Sequence, residues 1–300
     1  MFAVVALMSF VSVALPLAFC WRLWRLDEPT RLGWLLVMAE SAVLVTLIMV
    51  VARWDIAGMW SRVVLVGLFA AVAAVSAWRH LRRPWLPVDG SSIFPSHIPA
   101  FASVVVFGVA LAYVASGVFG RHDPRDFTFP LKQGDFVVAH GGTIGVLNHH
   151  SDHAAQRHAL DITAVNESGF RASGLLPADP ARYVIFGKTV VSPCDGTVLA
   201  AVDGLPDLAP PAADRDNAAG NHVVVSCGDL NVELAHLRKG SVVVAAGDRI
   251  VAGASLGQVG NSGNSTEPHL HIHAVDARSG TGVQMSFDDT VPVRNTLITR

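Results

Sequence analysis

The chain divides by pattern near residue 120. Before it, long uncharged apolar runs alternate with short arginine-bearing segments; after it, apolar residues come in short β-branched bursts. Residues 2–21 carry no charged side chain, 32–52 carry only Glu40, 63–78 are apolar, and 98–120 are again uncharged. A helix that crosses a bilayer needs about 20 such residues, so these runs predict four transmembrane helices. The third is the shortest, and a buried soluble helix is its competing reading. Tryptophans 21, 34, 54, 60, 78 and 85 stand at or near the ends of the runs, where an interfacial aromatic belt puts them. The first run lacks a basic start and a small-residue cleavage pattern, which argues against a cleaved signal peptide.

Past residue 120, Tyr183–Phe186, Val190–Val191, Val223–Val225 and Val242–Val244 read as short strands, because β-branched and aromatic residues fit a pleated surface and Gly, Asp, Asn and Pro clusters separate them. No helical stripe of useful length appears. The predicted fold class is therefore an α-helical transmembrane region of four helices, residues 1–120, followed by an all-β domain, residues 121–300, built as an antiparallel sheet or barrel-like sandwich. Composition agrees with the division: all seven tryptophans and no lysine lie in the first part.

Arginine placement orients the helices. The first loop holds Arg22, Arg25 and Arg31 and the third Arg79, Arg82 and Arg83, against Arg53 and Arg62 in the second. Positive loops stay in the cytoplasm, so four spans leave both the N-terminus and residues 121–300 outside. The expected location is the inner or cytoplasmic membrane, multi-pass, with the β domain extracytoplasmic. Glu40 is an ionisable group inside an apolar run, and such groups face a bundle interior or cavity; the sequence assigns it no role.

Chemistry enters with the histidines. Of 13, 11 follow residue 120. His269, His271 and His273 occupy alternate positions after a Gly/Asn/Ser/Pro-rich turn, so on a strand they share one face. Neutral imidazole is the commonest metal ligand, and a zinc site is the first expectation.

The combination Ala159-Leu-Asp161, Val191-Ser-Pro-Cys-Asp-Gly-Thr-Val198, Gly220-Asn-His-Val-Val224, Ala235-His-Leu237, Gly247 to Gly253, Leu256 to Gly263 and Pro268-His-Leu-His271 resembles the lysostaphin-like, or LytM-domain, zinc endopeptidases that cut peptide cross-links in bacterial cell walls. The resemblance covers about residues 130 to 290 and implies the duplicated hybrid motif fold. It makes Asp161 and His271 zinc ligands and His236 and His269 the unligated histidines beside the metal. In most of that family a histidine precedes the aspartate by four residues. Here Arg157 holds that position, and His158, three residues before Asp161, would face the opposite side of an extended segment. A family branch with Asn-x-His upstream looks similar, and on that pattern the first ligand is His150, with His149 as the alternative. Adjacent residues point apart in an extended segment, so one of the two is expected to bind.

Two imidazoles and a carboxylate leave a tetrahedral position open for water, as in catalytic zinc sites. The resemblance thus implies a membrane-anchored zinc metalloendopeptidase acting on peptidoglycan, with His236 and His269 as catalytic residues. His273 is expected behind or beside the ligands, and His222 either lines the groove or is structural. The Pro/Asp-rich stretch from Asp203 to Asn217 is a loop interrupting the strands. Cys194 and Cys227 would form a disulfide or remain a pair of small buried hydrophobes. A net charge of −2 without a basic stripe gives no sign of a nucleic-acid partner, and none is expected. Three alternatives differ in kind: a catalytically silent LytM-type domain that binds wall peptide or activates another hydrolase, a phosphocarrier, and a metal-storage patch.

Overall fold

The structure is a computed structural model that describes residues 1–88, 90 and 94–300. By internal contacts Ala6–Ser116 forms one compact unit, and Gly117–Arg300 makes up the bulk of the other.

The apolar runs are helical: α1 Phe2–Arg25, α2 Arg31–Val51, a single turn α3 Trp54–Ala57, α4 Met59–His80 and α5 Phe94–Phe119. Among the described residues, four helices are long and apolar enough to span a membrane. The short third run is extended at both ends, to 22 residues in α4. Thr30 caps α2, its hydroxyl accepting from the Gly33 N–H at 3.1 Å. Glu40 is ion-paired with Arg22 at 2.6 Å, so a carboxylate inside an apolar helix is matched by a cation. The arginine-rich loops one and three meet at one end of the bundle. There Arg83 pairs with Asp27 at 2.7 Å, Arg31 Nε donates to the Arg83 carbonyl at 2.7 Å, and Arg79 lies over Trp24.

The second unit is a mostly antiparallel sheet domain. Its strands are β1 Arg125–Asp126, β2 Asp135–His140, β3 Leu160–Val165, β4 Thr189–Val191, β5 Gly196–Val202, β6 Asn221–Cys227, β7 Leu230–Leu237, β8 Arg249–Ile250, β9 Ser255–Gln258, β10 Leu270–Asp276, β11 Gly282–Val283, β12 Met285–Ser286 and β13 Leu297–Thr299. The main sheet runs β13-β2-β3-β10-β7-β6-β5-β8, with β11 on β10. It is open from β13 to β8 and does not close into a barrel. β4 pairs with β9, and β1 pairs with β12 in parallel. One face of the sheet buries Phe136, Val138, Ile162, Val223, Val225, Val232, Leu234, Leu270 and Ile272, all fully enclosed. Each such side chain contributes roughly 1.5–3 kcal/mol, and the alternation that fills this core sends the intervening residues to the other face.

Two apolar runs expected as strands take other forms. Tyr183–Phe186 makes a single bridge to Ala172 and then a turn; Tyr183 and Ile185 are buried as plugs, which gives the same hydrophobic spacing as a strand. Val242–Val244 is irregular, because the Val242 N–H is taken by the Asp203 carboxylate at 3.2 Å and the Val243 N–H by the Leu256 carbonyl at 3.1 Å. Cys194 and Cys227 form a disulfide with Cα atoms 5.9 Å apart, inside the ordinary range. Thus they bridge rather than pack as free thiols.

Candidate metal and catalytic site

Strand register sets the centre of the site. Asp161 on β3 lies directly opposite His271 on β10, and His271 is opposite Ala235 on β7. Directly opposed residues share a face, so the Asp161 and His271 side chains meet: His271 Nδ1 is 2.9 Å from Asp161 Oδ1. His150 reaches the same carboxylate from above, its Nε2 lying 3.1 Å from each oxygen.

His236 follows Ala235 and in a regular strand would face away from His271. Its backbone has φ 62° instead, a left-handed conformation that costs a non-glycine residue about 1 kcal/mol or more. This turns its ring to 4.8 Å from His269 and 5.8 Å from His271, centroid to centroid. The conformation is held by the His236 N–H donating to the Ala219 carbonyl and by the Gly260 N–H donating to the His236 carbonyl, both at 3.0 Å. Gly220 allows the close approach: a Cβ there would stand 2.5 Å from the Ser262 carbonyl group.

Both histidines have fixed tautomers. His236 Nδ1 donates to the Ser262 carbonyl at 2.9 Å and His269 Nδ1 to the Glu267 carbonyl at 2.8 Å. Each Nε2 is thereby an acceptor, and that of His269 lies 3.6 Å from Asp161 Oδ1. Burial pushes His236 well below the usual histidine range, and the neighbouring His269 adds to the shift. Asp161 is fully buried, which alone would raise its pKa. The surrounding His269, His150 and His271 outweigh that and hold it well below the carboxylate range. His273 lies behind the site, its Nδ1 3.1 Å from His271 Nε2; burial lowers it to about 3.

The structure brings His150, Asp161, His271, His236 and His269 together. It also brings His149, because residues 148–158 form successive turns rather than an extended strand. The expectation that the two neighbours point apart therefore fails: their rings are 3.8 Å apart, and His149 Nδ1 lies 3.9 Å from Asp161 Oδ2. Burial of its inner edge lowers His149 to about 4, against the opposing pull of Asp161. His158 turns away to the ring of His122. His222 contacts the Gly220 carbonyl and stays outside the cluster.

Other participants carry no obvious sequence signal. Ser262 orients His236 through its carbonyl, and its hydroxyl links Asn221 to Leu237. Arg171, 2% exposed, pairs with Glu267 at 2.5 Å and steadies the segment before His269. The Asp203–Asn217 loop is fastened to the turn beside these histidines, Asp207 accepting from the Asn261 N–H at 2.7 Å and Leu208 donating to the Asn261 carbonyl at 3.0 Å. It is therefore held against the Asn261 turn rather than being a loose excursion.

One ligand atom from each of His150, Asp161 and His271 lies within 4.8 Å of the others, and the same holds for His140, His149 and Asp161. A tetrahedral zinc with bonds of about 2.0–2.1 Å separates its donors by about 3.3 Å. The 2.9 and 3.1 Å distances in the first group are close to that edge, so its residues fit such an ion.

The β-sheet domain thus holds a His/His/Asp cluster that could bind a metal ion, with two histidines tethered beside it. Residues 183–284 match Peptidase family M23, so the chain carries an M23, LytM-type, domain. His236, His269 and His271 fall inside the match, while His150 and Asp161 lie upstream of it. Solved structures to which the chain is similar include lysostaphin, 24% identical over 32% of this chain and 36% of that one, with a TM-score of 0.25. A zinc-containing peptidase from Vibrio cholerae is 19% identical over 42% of this chain and 48% of that one, TM-score 0.26. The catalytic domain of a mutant form of the prophage-encoded M23 protein EnpA from Enterococcus faecalis is 26% identical over 33% of this chain and 73% of that one, TM-score 0.21. The chain thus spans less than half the length of the lysostaphin and Vibrio chains it matches.

Proposed function

We propose that this protein is a membrane-anchored zinc metalloendopeptidase that hydrolyses peptide bonds in bacterial peptidoglycan. The observation that carries the reading is the convergence of His150 Nε2 and His271 Nδ1 on Asp161, next to two histidines whose Nδ1 hydrogens are committed to main-chain carbonyls.

His150, Asp161 and His271 would hold the ion. A zinc bound there supplies Lewis acidity and a water of near-neutral pKa. The remaining chemistry belongs to the chain. His269 and His236, whose Nε2 atoms are left as acceptors beside the cluster, would orient water and take its proton. Once protonated, either ring donates a hydrogen bond to charge developing on the carbonyl oxygen of a peptide. The depressed basicity of His236 fits a group that is neutral before the reaction. His273, bonded behind His271, fixes the orientation of that ring. The Asp203–Asn217 loop and the Arg171–Glu267 pair shape the approach of an extended peptide.

The helices serve as the anchor, and the lipid bilayer is their surrounding. With arginines in loops one and three facing the cytoplasm, the M23 domain lies outside with the wall. The Cys194–Cys227 disulfide supports that side, since disulfides persist in oxidising compartments.

The test is zinc content and peptide release from purified peptidoglycan by the full chain in detergent, comparing wild type with His150→Ala, His149→Ala and His271→Ala. The proposal expects cleavage that chelation abolishes and that is lost with His150 or His271 but survives loss of His149. Folded wild-type protein that holds zinc without cutting would favour a silent LytM-type domain that binds wall peptide or activates another hydrolase.

A further inference from the structure

A second set of donors meets Asp161 from the side opposite His271. In the β2–β3 ladder Val138 is paired with Ile162, yet the residue opposite Asp161 is His140, because a β-bulge passes over Ala139. Bulges re-aim side chains, and this one replaces a methyl with an imidazole next to the carboxylate. Asp161 therefore stands in the sheet between His140 on one flank and His271 on the other. The consecutive residues His149 and His150 repeat the arrangement above it. His149 Nδ1 is 3.0 Å from His140 Nδ1 and 3.9 Å from Asp161 Oδ2, whereas His271 Nδ1 and His269 Nε2 face Oδ1 at 2.9 and 3.6 Å.

We propose that Asp161 is a bridging ligand for two cation positions, the second formed by Oδ2 with His140 and His149 and taking a divalent transition-metal ion such as Zn²⁺ or Co²⁺. The inference rests on His150, Asp161 and His271 being the first position. Two imidazoles and one carboxylate suit such ions rather than Mg²⁺ or Ca²⁺, and carboxylate-bridged pairs place ions about 3.5–4 Å apart. The second position is the weaker one for two reasons. The 3.9 Å separation is wider than a tetrahedral edge, and the Arg294 guanidinium, 3.0 Å from His140 Nδ1, must give way before that nitrogen can bind.

The full chain in detergent, stripped with chelator and titrated with Co²⁺ alone, tests this through its absorption spectrum and its bound metal. Wild type is expected to saturate at two equivalents. His140→Ala and His140→Gln should saturate at one, with the spectrum and affinity of the first equivalent unchanged. Arg294→Gln should tighten the second equivalent about tenfold, the effect of removing one competing hydrogen bond. Wild type that saturates at a single equivalent, or His140 variants that still take two, would overturn the second position and leave the first intact. Wild type that takes none overturns both positions. Circular dichroism of the stripped variants against wild type verifies that a lost equivalent is not lost folding.

Discussion

The rings of His236 and His269 lie 4.8 Å apart, each is tied by Nδ1 to a main-chain carbonyl, and His269 Nε2 lies 3.6 Å from Asp161 Oδ1. Among the described residues, neither ring belongs to a cluster of candidate metal donors. Replacing His236 or His269 with Asn is expected to lower kcat about 10²–10⁴-fold while bound zinc stays at the wild-type level. Zinc content alongside peptide release checks this, and loss of zinc in either variant would make the residue a ligand instead.

His273 holds the far nitrogen of His271. Converting it to Phe should weaken zinc about 10–100-fold, as loss of a hydrogen bond behind a ligand does, with kcat at saturating zinc largely kept. His273→Gln, which retains an acceptor, should recover most of the affinity. Competition with a chromogenic chelator measures both.

At Gly220 the requirement is steric. Gly220→Ala places a methyl 2.5 Å from the Ser262 carbonyl at φ 61°, displacing the turn that orients His236. A loss of about 1–3 kcal/mol in stability should accompany a fall in kcat. Thermal unfolding and peptide release would have to be unaffected for this account to fail.

The Cys194–Cys227 bridge closes a separation of 33 residues. Chain-entropy arguments put its contribution at about 3–4 kcal/mol. Cys194→Ser should lower the unfolding midpoint, and reductant should lower that of wild type to the same value while leaving the variant unmoved.

Acid should destabilise the metal-free protein. Burial lowers His158 to about 4 and His273 to about 3, and His236 is lowered in the same direction. A group whose folded pKa is depressed contributes stability that is complete above its unfolded value of about 6.5 and disappears as pH falls toward the folded value. With chelator present, the unfolding midpoint should therefore decline between pH of about 6.5 and about 4. His158→Phe should flatten part of that decline without touching the metal cluster.

How much of this is legible in the sequence follows from how each residue is positioned. His269, His271 and His273 are readable because strand alternation is a local rule, and Asp161 sits on a strand opposite them. The four apolar runs are readable for the same reason, and only their ends shift. His140 is not, because a bulge decides which residue faces Asp161, and bulges follow from pairing across strands. His236 owes its direction to a left-handed backbone set by Ala219 and Gly260, both distant from it in the chain. Tyr183–Phe186 misleads because a buried turn and a buried strand need the same hydrophobic residues.

The turn that carries His149 and His150 also alters what a change in its length would do. Both rings face one carboxylate from adjacent positions, so a deletion or insertion of one residue there would exchange which histidine stands over Asp161 without removing an imidazole from the site. Counting a fixed number of residues back from Asp161 is then the wrong ruler for this site. The donor is specified by where the turn delivers it in space, and the interval along the chain is free to vary.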